Sequence, residues 1–132
     1  MRKVIIISIL AYCPLLGYAQ KSTLDLLQQC KWEQRANNMI YHTQKFTQDS
    51  LYIYYRETML IGVVDYYLSD TIVSEFDPDK VGKIRNGKYI IYRIKDNVSV
   101  LEIIELTPEI LKTKSLAANT VVVVFYPPKE DD

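Results

Sequence analysis

The sequence predicts an all-β fold: a single up-and-down antiparallel β-barrel of about eight strands, with a short N-terminal helix. Short runs of β-branched and aromatic residues recur along the 132-residue chain, and turn-forming residues separate them. Beyond the first thirty residues, no segment carries a long apolar stripe at the helical period. Short loops join neighbouring antiparallel strands, and closing such a sheet into a barrel removes its exposed edges.

The first nineteen residues have the pattern of a secretory signal peptide. Arg2 and Lys3 supply a basic start, an apolar run extends to Leu16, and small residues precede a cleavage position after Ala19. We predict that residues 1–19 are removed and that residues 20–132 form one barrel domain. The mature protein is then expected to be periplasmic or extracellular.

Anchoring to a membrane or binding to nucleic acid is not expected. Cys13 lies between Tyr12 and Pro14, a setting that does not suit attachment of a lipid. The apolar run is short for a membrane span, and none is expected in the mature chain. Residues 1–19 hold two of the 16 basic residues, which leaves 14 basic against 16 acidic ones and no concentrated basic stripe for nucleic acid.

The stretch KSTLDLLQQC, residues 21–30, predicts the helix. Ser22 or Thr23 can cap it, Asp25 falls in its first turn, and leucines follow at helical spacing. Strands are then predicted within 32–46 (two strands) and over 51–55, 59–68, 71–76, 88–95, 98–106, 110–116 and 120–126. Candidate turns are Ser69-Asp70, Asn86-Gly87, Asp96-Asn97, Thr107-Pro108-Glu109 and residues 117–119. Asn86-Gly87 is the strongest hairpin signal, because both positions of a type I′ turn need positive φ.

One hairpin can be predicted in detail. With Asp96-Asn97 as its two-residue loop, Tyr92 opposes Leu101 and Ile90 opposes Ile103, and we assign this face to the barrel interior. The outer face would carry Tyr89, Ile91, Val100 and Ile104. That face is more apolar than a free surface needs, which favours a covering segment or a protein partner, although scattered surface hydrophobics are an equal alternative.

Several of these features together resemble the lipocalin-like (calycin) proteins exported by some Gram-negative bacteria. They are the leucine-rich lead-in, a tryptophan that opens the first strand, the eight-strand meander and the closing VVVFY. The Gly-x-Trp that marks the barrel floor in that family reads Cys30-Lys31-Trp32 here, and IIELTPEILKTKSL is similar to its late hairpin. The resemblance covers residues 21–127. It implies that Trp32 closes the barrel floor against the helix, with Cys30 as a small buried neighbour.

Tyrosine is the unusual component, with eleven residues, nine of them after position 19. An aromatic ring with a polar tip can line a cavity for an amphipathic ligand, or it can fill a small barrel completely. We expect the ligand-lining residues, if a cavity exists, to be Tyr52, Tyr54, Tyr66, Ile90, Tyr92, Leu101 and Ile103.

The residue types needed for catalysis or metal binding are sparse. One His and one Cys in the mature chain fall short of a metal site, so no metal and no cofactor is predicted. The cluster Glu75, Asp77 and Asp79 has oxygen ligands but lacks the pattern of a calcium loop, and a solvated turn is preferred. His42 has no identifiable partner in the sequence, so we predict that the protein is not an enzyme.

Two functional hypotheses remain open. The first is an exported lipocalin-like protein that binds a small apolar or amphipathic molecule inside the barrel. The alternative is a solid barrel without a cavity, an inhibitor or envelope subunit that meets a protein through its apolar outer face.

Overall fold

The computed structural model describes residues 21–117 and 120–129. Its elements are α1 (Thr23–Gln28), β1 (Trp32–Ala36), β2 (Met39–Phe46), β3 (Ser50–Tyr55), β4 (Met59–Ser69), a 3₁₀ turn (Pro78–Lys80), β5 (Tyr89–Ile94), β6 (Asn97–Thr107), β7 (Ile110–Ser115) and β8 (Val122–Phe125). The predicted signal peptide lies outside the described residues, as does most of the candidate turn at 117–119.

The eight strands form one up-and-down sheet in which each strand pairs antiparallel with the next. Glu33 and Tyr126 exchange two backbone hydrogen bonds, of 2.7 and 2.8 Å, which join β1 to the chain just after β8. The result is a nearly closed barrel, and the predicted fold class is confirmed. We call the end that holds the 37–38, 56–58 and 95–96 loops the open end, and the end that holds α1 the closed end.

Helix α1 begins after Ser22, one of the two predicted caps. Ser22 Oγ accepts a hydrogen bond from the Asp25 backbone N–H, and the Asp25 carboxylate accepts one from the Ser22 N–H. Hydrogen bonds from the Ser22 hydroxyl and backbone N–H to the Asp25 carboxylate, with a contribution from Arg85, hold the pKa of Asp25 below its usual value. Leu24 and Leu27 are buried against the barrel, so this six-residue helix is stabilised by packing rather than by its length.

The core fills the closed end. Its buried residues are Leu24, Leu27, Trp32, Phe46, Leu51, Tyr66, Leu68, Ile90, Leu111 and Phe125. They come from α1 and from seven of the eight strands, so the core ties nearly the whole meander together. Tyr66 satisfies its hydroxyl by donating to the Thr47 carbonyl at 2.6 Å. Burial, with a contribution from the charge of Asp49, raises the pKa of Tyr66.

The β5–β6 hairpin differs from its predicted register by two residues. Lys95 and Asp96 form its loop, with Lys95 at φ 56°, and Ile90 therefore opposes Leu101 rather than Ile103. A shift of two residues keeps every side chain on its predicted face. Ile90 and Leu101 accordingly still contribute to the core.

The long connection between β4 and β5, residues 70–88, replaces three predicted features. Residues 71–76 form no strand, and neither Ser69-Asp70 nor Asn86-Gly87 is a hairpin turn. Gly87 is needed for another reason: a Cβ there would lie 2.7 Å from the Ser69 backbone nitrogen. By contrast, a turn does form at the predicted Thr107-Pro108-Glu109, where Pro108 and Glu109 connect β6 to β7.

This connection covers the apolar outer face of β4 and β5. The Phe76 ring lies 5.1 Å from the Tyr67 ring, and the Arg93 guanidinium lies 4.6 Å from the Phe76 centroid. Ile91, which pairs with Tyr67, is completely buried. The protein's own chain therefore accounts for much of the apolar outer face that the sequence indicates, while Ile104 stays exposed.

Candidate binding site

The barrel wall opens between β4 and β5 at the open end. Strand β4 is 11 residues long, but β5 pairs only with its last four, Tyr66–Ser69. Residues 59–65 pair with β3 on one side and have no strand on the other. Beyond Tyr66, toward the open end, the two strands are no longer paired, and this leaves a gap in the barrel wall.

The gap contains a depression of about 580 Å³, which we call the slot. Its lining residues are Ile53, Ile61, Gly62, Val63, Val64, Asp65, Arg93, Ile94 and Lys95. Five of these nine are aliphatic, and three are charged. A volume of several hundred Å³, mostly apolar walls and a few polar groups are the usual properties of a small-molecule site.

Gly62 gives the slot part of its depth. A Cβ built on Gly62 meets no atom within 4 Å, so the missing side chain leaves open space rather than relieving a clash. Ile53, which pairs with Gly62, and Val64 pack against the barrel core. The slot therefore extends from the protein surface to the side of the core that faces the open end.

Charge is distributed unevenly over the slot. Arg93 and Lys95 stand on the β5 wall, and Asp65 stands on the β4 wall. Arg93 is held in place by its contact with Phe76, whereas Lys95 is exposed at the hairpin tip. The β5 wall thus offers two cations beside an apolar surface, an arrangement that suits a ligand with an apolar body and an anionic group.

The exposed backbone of β4 adds a second kind of recognition. The Tyr66 N–H points to the β3 side, where it donates to the carbonyl of Asp49, the residue just before β3, at 3.4 Å. Backbone groups alternate in direction along a strand, so the N–H and C=O of Val63 and Asp65 point the other way, into the slot. Among the described residues, no strand pairs with these groups on that side.

The expected ligand-lining residues occupy three different environments. Tyr66 and Ile90 are fully buried in the closed-end core, and Tyr92, Leu101 and Ile103 are partly buried and pack against that core. Tyr52 and Tyr54 lie on the opposite face of β3 from Ile53. None of the seven lines the slot.

The two outer tyrosines are paired with lysines. Lys31 Nζ lies 4.2 Å from the centroid of the Tyr54 ring, and Lys45 Nζ lies 5.9 Å from that of Tyr52. Cys30 shares a shallow depression of about 250 Å³ with Lys31, Lys45 and Tyr54. These residues form a solvated outer surface on which ammonium groups cover aromatic rings.

Trp32 and Cys30 both contact the floor of the barrel. Trp32 is completely buried, and its Nε1–H donates to the Leu27 carbonyl at 2.9 Å, which connects β1 to the helix. Cys30 is half-buried and packs against the same core. Burial raises the pKa of the Cys30 thiol to about 11, so very little nucleophilic thiolate is present at neutral pH.

His42 is exposed, and its Nδ1 lies 3.2 Å from Gln34 Oε1. Its ring meets Tyr55 edge-on at 6.2 Å. Within residues 21–117 and 120–129, no three His, Cys, Asp or Glu side chains come together as a metal site. Glu75, Asp77 and Asp79 lie in the covering connection, where Asp77 caps the 3₁₀ turn by accepting from the Asp79 N–H at 3.0 Å.

The slot residues were missed because the sequence gives no sign of where strand pairing stops. The one available signal is the run MLIGVV, residues 59–64, which has apolar side chains on both faces and no charge. A strand with one solvated face normally alternates between apolar and polar residues. The absence of alternation here marks a strand whose apolar surface exceeds what the barrel interior can cover.

Comparison with models of protein families, with curated proteins and with solved structures finds no match for this chain. In the part of the chain that the structure describes, no helix is both long and apolar enough to cross a membrane. Function is therefore inferred from the geometry of the barrel and its slot.

Proposed function

We propose that the protein is an exported, lipocalin-like binding protein that takes a small amphipathic molecule into the slot between β4 and β5. One observation carries the proposal: a depression of about 580 Å³ combines five aliphatic side chains with Arg93 and Lys95 on one wall. The apolar body of the ligand lies against Ile53, Ile61 and Val64, and its anionic group meets the two cations. Binding, rather than catalysis, is the proposed activity.

This proposal places the ligand beside the barrel core rather than within it. The closed end is filled by residues such as Trp32, Tyr66 and Ile90, and each of these is at most 1% exposed. Filling of this kind also supports the second candidate, a solid barrel that acts through protein contacts. The exposed apolar residues of β4, among them Met59 and Ile61, supply the surface for that alternative.

A fluorescent amphipathic anion, anilinonaphthalene sulfonate, tests the slot directly. We expect it to bind the wild-type protein and to lose binding in Gly62→Phe, because the added ring fills the open space at Gly62. Gly62→Ala is the matched control and should retain most of the binding. Equal binding to all three proteins would contradict the proposal, because the probe would then lie elsewhere.

The charge requirement has its own matched pair. Lys95→Gln should lower the affinity for the fluorescent anion by about threefold to tenfold, since one charged contact at a partly solvated site is lost. Lys83→Gln removes an exposed lysine outside the slot and should leave the affinity unchanged. Identical effects of the two changes would remove the role proposed for the β5 wall.

Mass spectrometry of the protein purified from its native host tests export and natural loading together. A mass that corresponds to residues 20–132 is expected for the processed chain. Extra mass that is present under native conditions and lost on denaturation would be the bound molecule. A full-length mass would contradict export, and an empty processed chain would favour the solid-barrel alternative.

A further inference from the structure

The slot offers more than an apolar cavity, because one of its walls is an unpaired strand edge. In most barrels each strand has a neighbour on both sides, and an exposed apolar edge is a ready template for another strand. Here residues 59–65 of β4 form such an edge, with Ile61 and Val63 about half exposed (58% and 49%). Recognition of an extended backbone is therefore available within the proposed binding site.

We propose that the slot binds an extended peptide with an acidic residue or a free terminal carboxylate, which adds as a strand to the edge of β4. The inference rests on the proposed function and narrows its ligand class, since such a peptide is itself a small amphipathic molecule. The peptide backbone exchanges hydrogen bonds with the slot-facing N–H and C=O groups of Val63 and Asp65. Its apolar side chains lie against Ile53, Ile61 and Val64.

Charge determines which peptide fits. The six residues 59–64 carry no charge, so the edge itself places no electrostatic demand on its occupant. Across the slot, Arg93 and Lys95 favour a carboxylate, while Asp65 on the β4 wall opposes one nearby. The acidic group therefore belongs on the side of the peptide that faces β5, and a basic peptide is disfavoured there.

The occupant is a peptide rather than a second copy of this chain. Pairing of two β4 edges would offer the two cations of the β5 wall only one anionic side chain, Asp65 of the second copy, because residues 59–64 are uncharged. It would also bring two copies of the same cationic wall close to one another. A single peptide strand satisfies the edge and the cations at the same time.

The test uses an acetylated hexapeptide in which valine and threonine alternate and the last residue is glutamate. Two controls accompany it: the same peptide ending in glutamine amide, and one methylated on two adjacent central backbone nitrogens so that both strand edges are blocked. Calorimetric titration should show binding of the first peptide and about tenfold weaker binding of the glutamine version, a loss that added salt reduces. The methylated peptide should not bind.

Val63→Pro and Val63→Ala test the same contact from the protein side. Proline removes the slot-facing N–H of Val63 without removing a bond to β3, and proline is tolerated on a solvent-facing edge. We expect Val63→Pro to bind the peptide with about tenfold lower affinity than Val63→Ala, which keeps the N–H. Circular dichroism checks that both variants fold, and the methylated-peptide comparison stands on the wild-type protein alone.

The outcomes separate this inference from the function on which it rests. If the fluorescent anion binds but the peptide does not, or if methylation has no effect, strand addition is wrong and the small-molecule proposal stands. If neither binds, both proposals fail. If the peptide binds and Gly62→Phe abolishes the binding, both proposals are supported in the same slot.

Discussion

Strand β4 passes through both halves of the barrel, and its two ends differ in burial and pairing. Toward the closed end, Tyr66 and Leu68 are at most 1% exposed and pair with β5. Toward the open end, Met59 and Ile61 are about 60% exposed, and the strand has a neighbour only on the β3 side. One continuous element thus serves as core in one half and as an unsatisfied edge in the other.

The difference indicates that the two ends of this small domain have separate roles, stability at the closed end and the proposed binding at the open end. A single core must supply most of the stability of a chain this short. The packed closed end provides that core, and it therefore leaves the open end free to retain apolar surface and unpaired backbone. Exposed apolar surface and unpaired strand backbone favour aggregation in a protein without a ligand. This is a further reason to expect that a ligand covers the open end.

Matched leucine truncations in β4 break this comparison most directly. Leu68→Ala should lower the free energy of unfolding by about 2–5 kcal/mol, because it leaves a cavity in the core. Leu60→Ala, in the exposed half, should change it by less than about 0.5 kcal/mol. Urea unfolding followed by the fluorescence of the single tryptophan, Trp32, measures both. Similar losses at the two positions would show that the open end contributes to the core after all.

Two glycines test the same contrast with a smaller change. Gly87→Ala forces a Cβ to within 2.7 Å of the Ser69 nitrogen and should cost about 1–3 kcal/mol. Gly62→Ala places its Cβ in open space within a strand and should stabilise the protein by about 0.5 kcal/mol. Thermal unfolding of the two variants decides the point, and destabilisation by both would argue against an open slot.

Local physical chemistry explains which features could be predicted from the sequence. The cap at Ser22 and the turn at Pro108 depend on a few adjacent residues, and both were predicted. The core at the closed end is also predictable, because burial of Trp32 and of the alternating apolar residues of β5 is favourable only if these side chains point into the barrel. Those signals are sufficient for the fold class and for the position of the core.

The errors arise where a local signal has more than one structural use. Asn86-Gly87 is a strong hairpin signal, but Gly87 is required for close backbone contact with Ser69. Residues 71–76 have strand-like composition, yet Phe76 instead covers the outer face at Tyr67. The loop of the β5–β6 hairpin moved by one residue because Lys95 adopts positive φ without being glycine or asparagine.

The candidate site could not be predicted because it depends on an event distant in sequence. The slot exists because pairing of β4 with β5 stops at Tyr66, and these two strands are separated in the sequence by residues 70–88. The seven tyrosine and aliphatic residues expected to line a cavity have suitable side chains but do not share one location. Their distribution between the core and the outer face is a consequence of barrel closure.

The smallest expected effect concerns a charge placed within the well-packed seam between β1 and β8. The Glu33 side chain is 6% exposed, and its Oε1 lies 3.6 Å from Arg35 Nη1. Burial raises the pKa of Glu33, and the positive charge of Arg35 offsets part of that rise. The folded protein therefore holds the Glu33 proton to a higher pH than the unfolded chain does.

The sign of the resulting pH dependence follows from linkage. Below the pKa of the unfolded chain the carboxyl is protonated in both states, and its contribution to folding is fully present. As the pH rises through the folded-state pKa that contribution is lost, because the unfolded chain ionises more readily. Glu33→Gln cannot ionise, so its stability relative to the wild type should improve between about pH 4 and pH 7. Urea unfolding across that range measures the difference in stability. Glu109→Gln is the control for the loss of one exposed charge. A difference between Glu33→Gln and the wild type that does not change with pH would mean that Arg35 compensates the buried carboxylate fully.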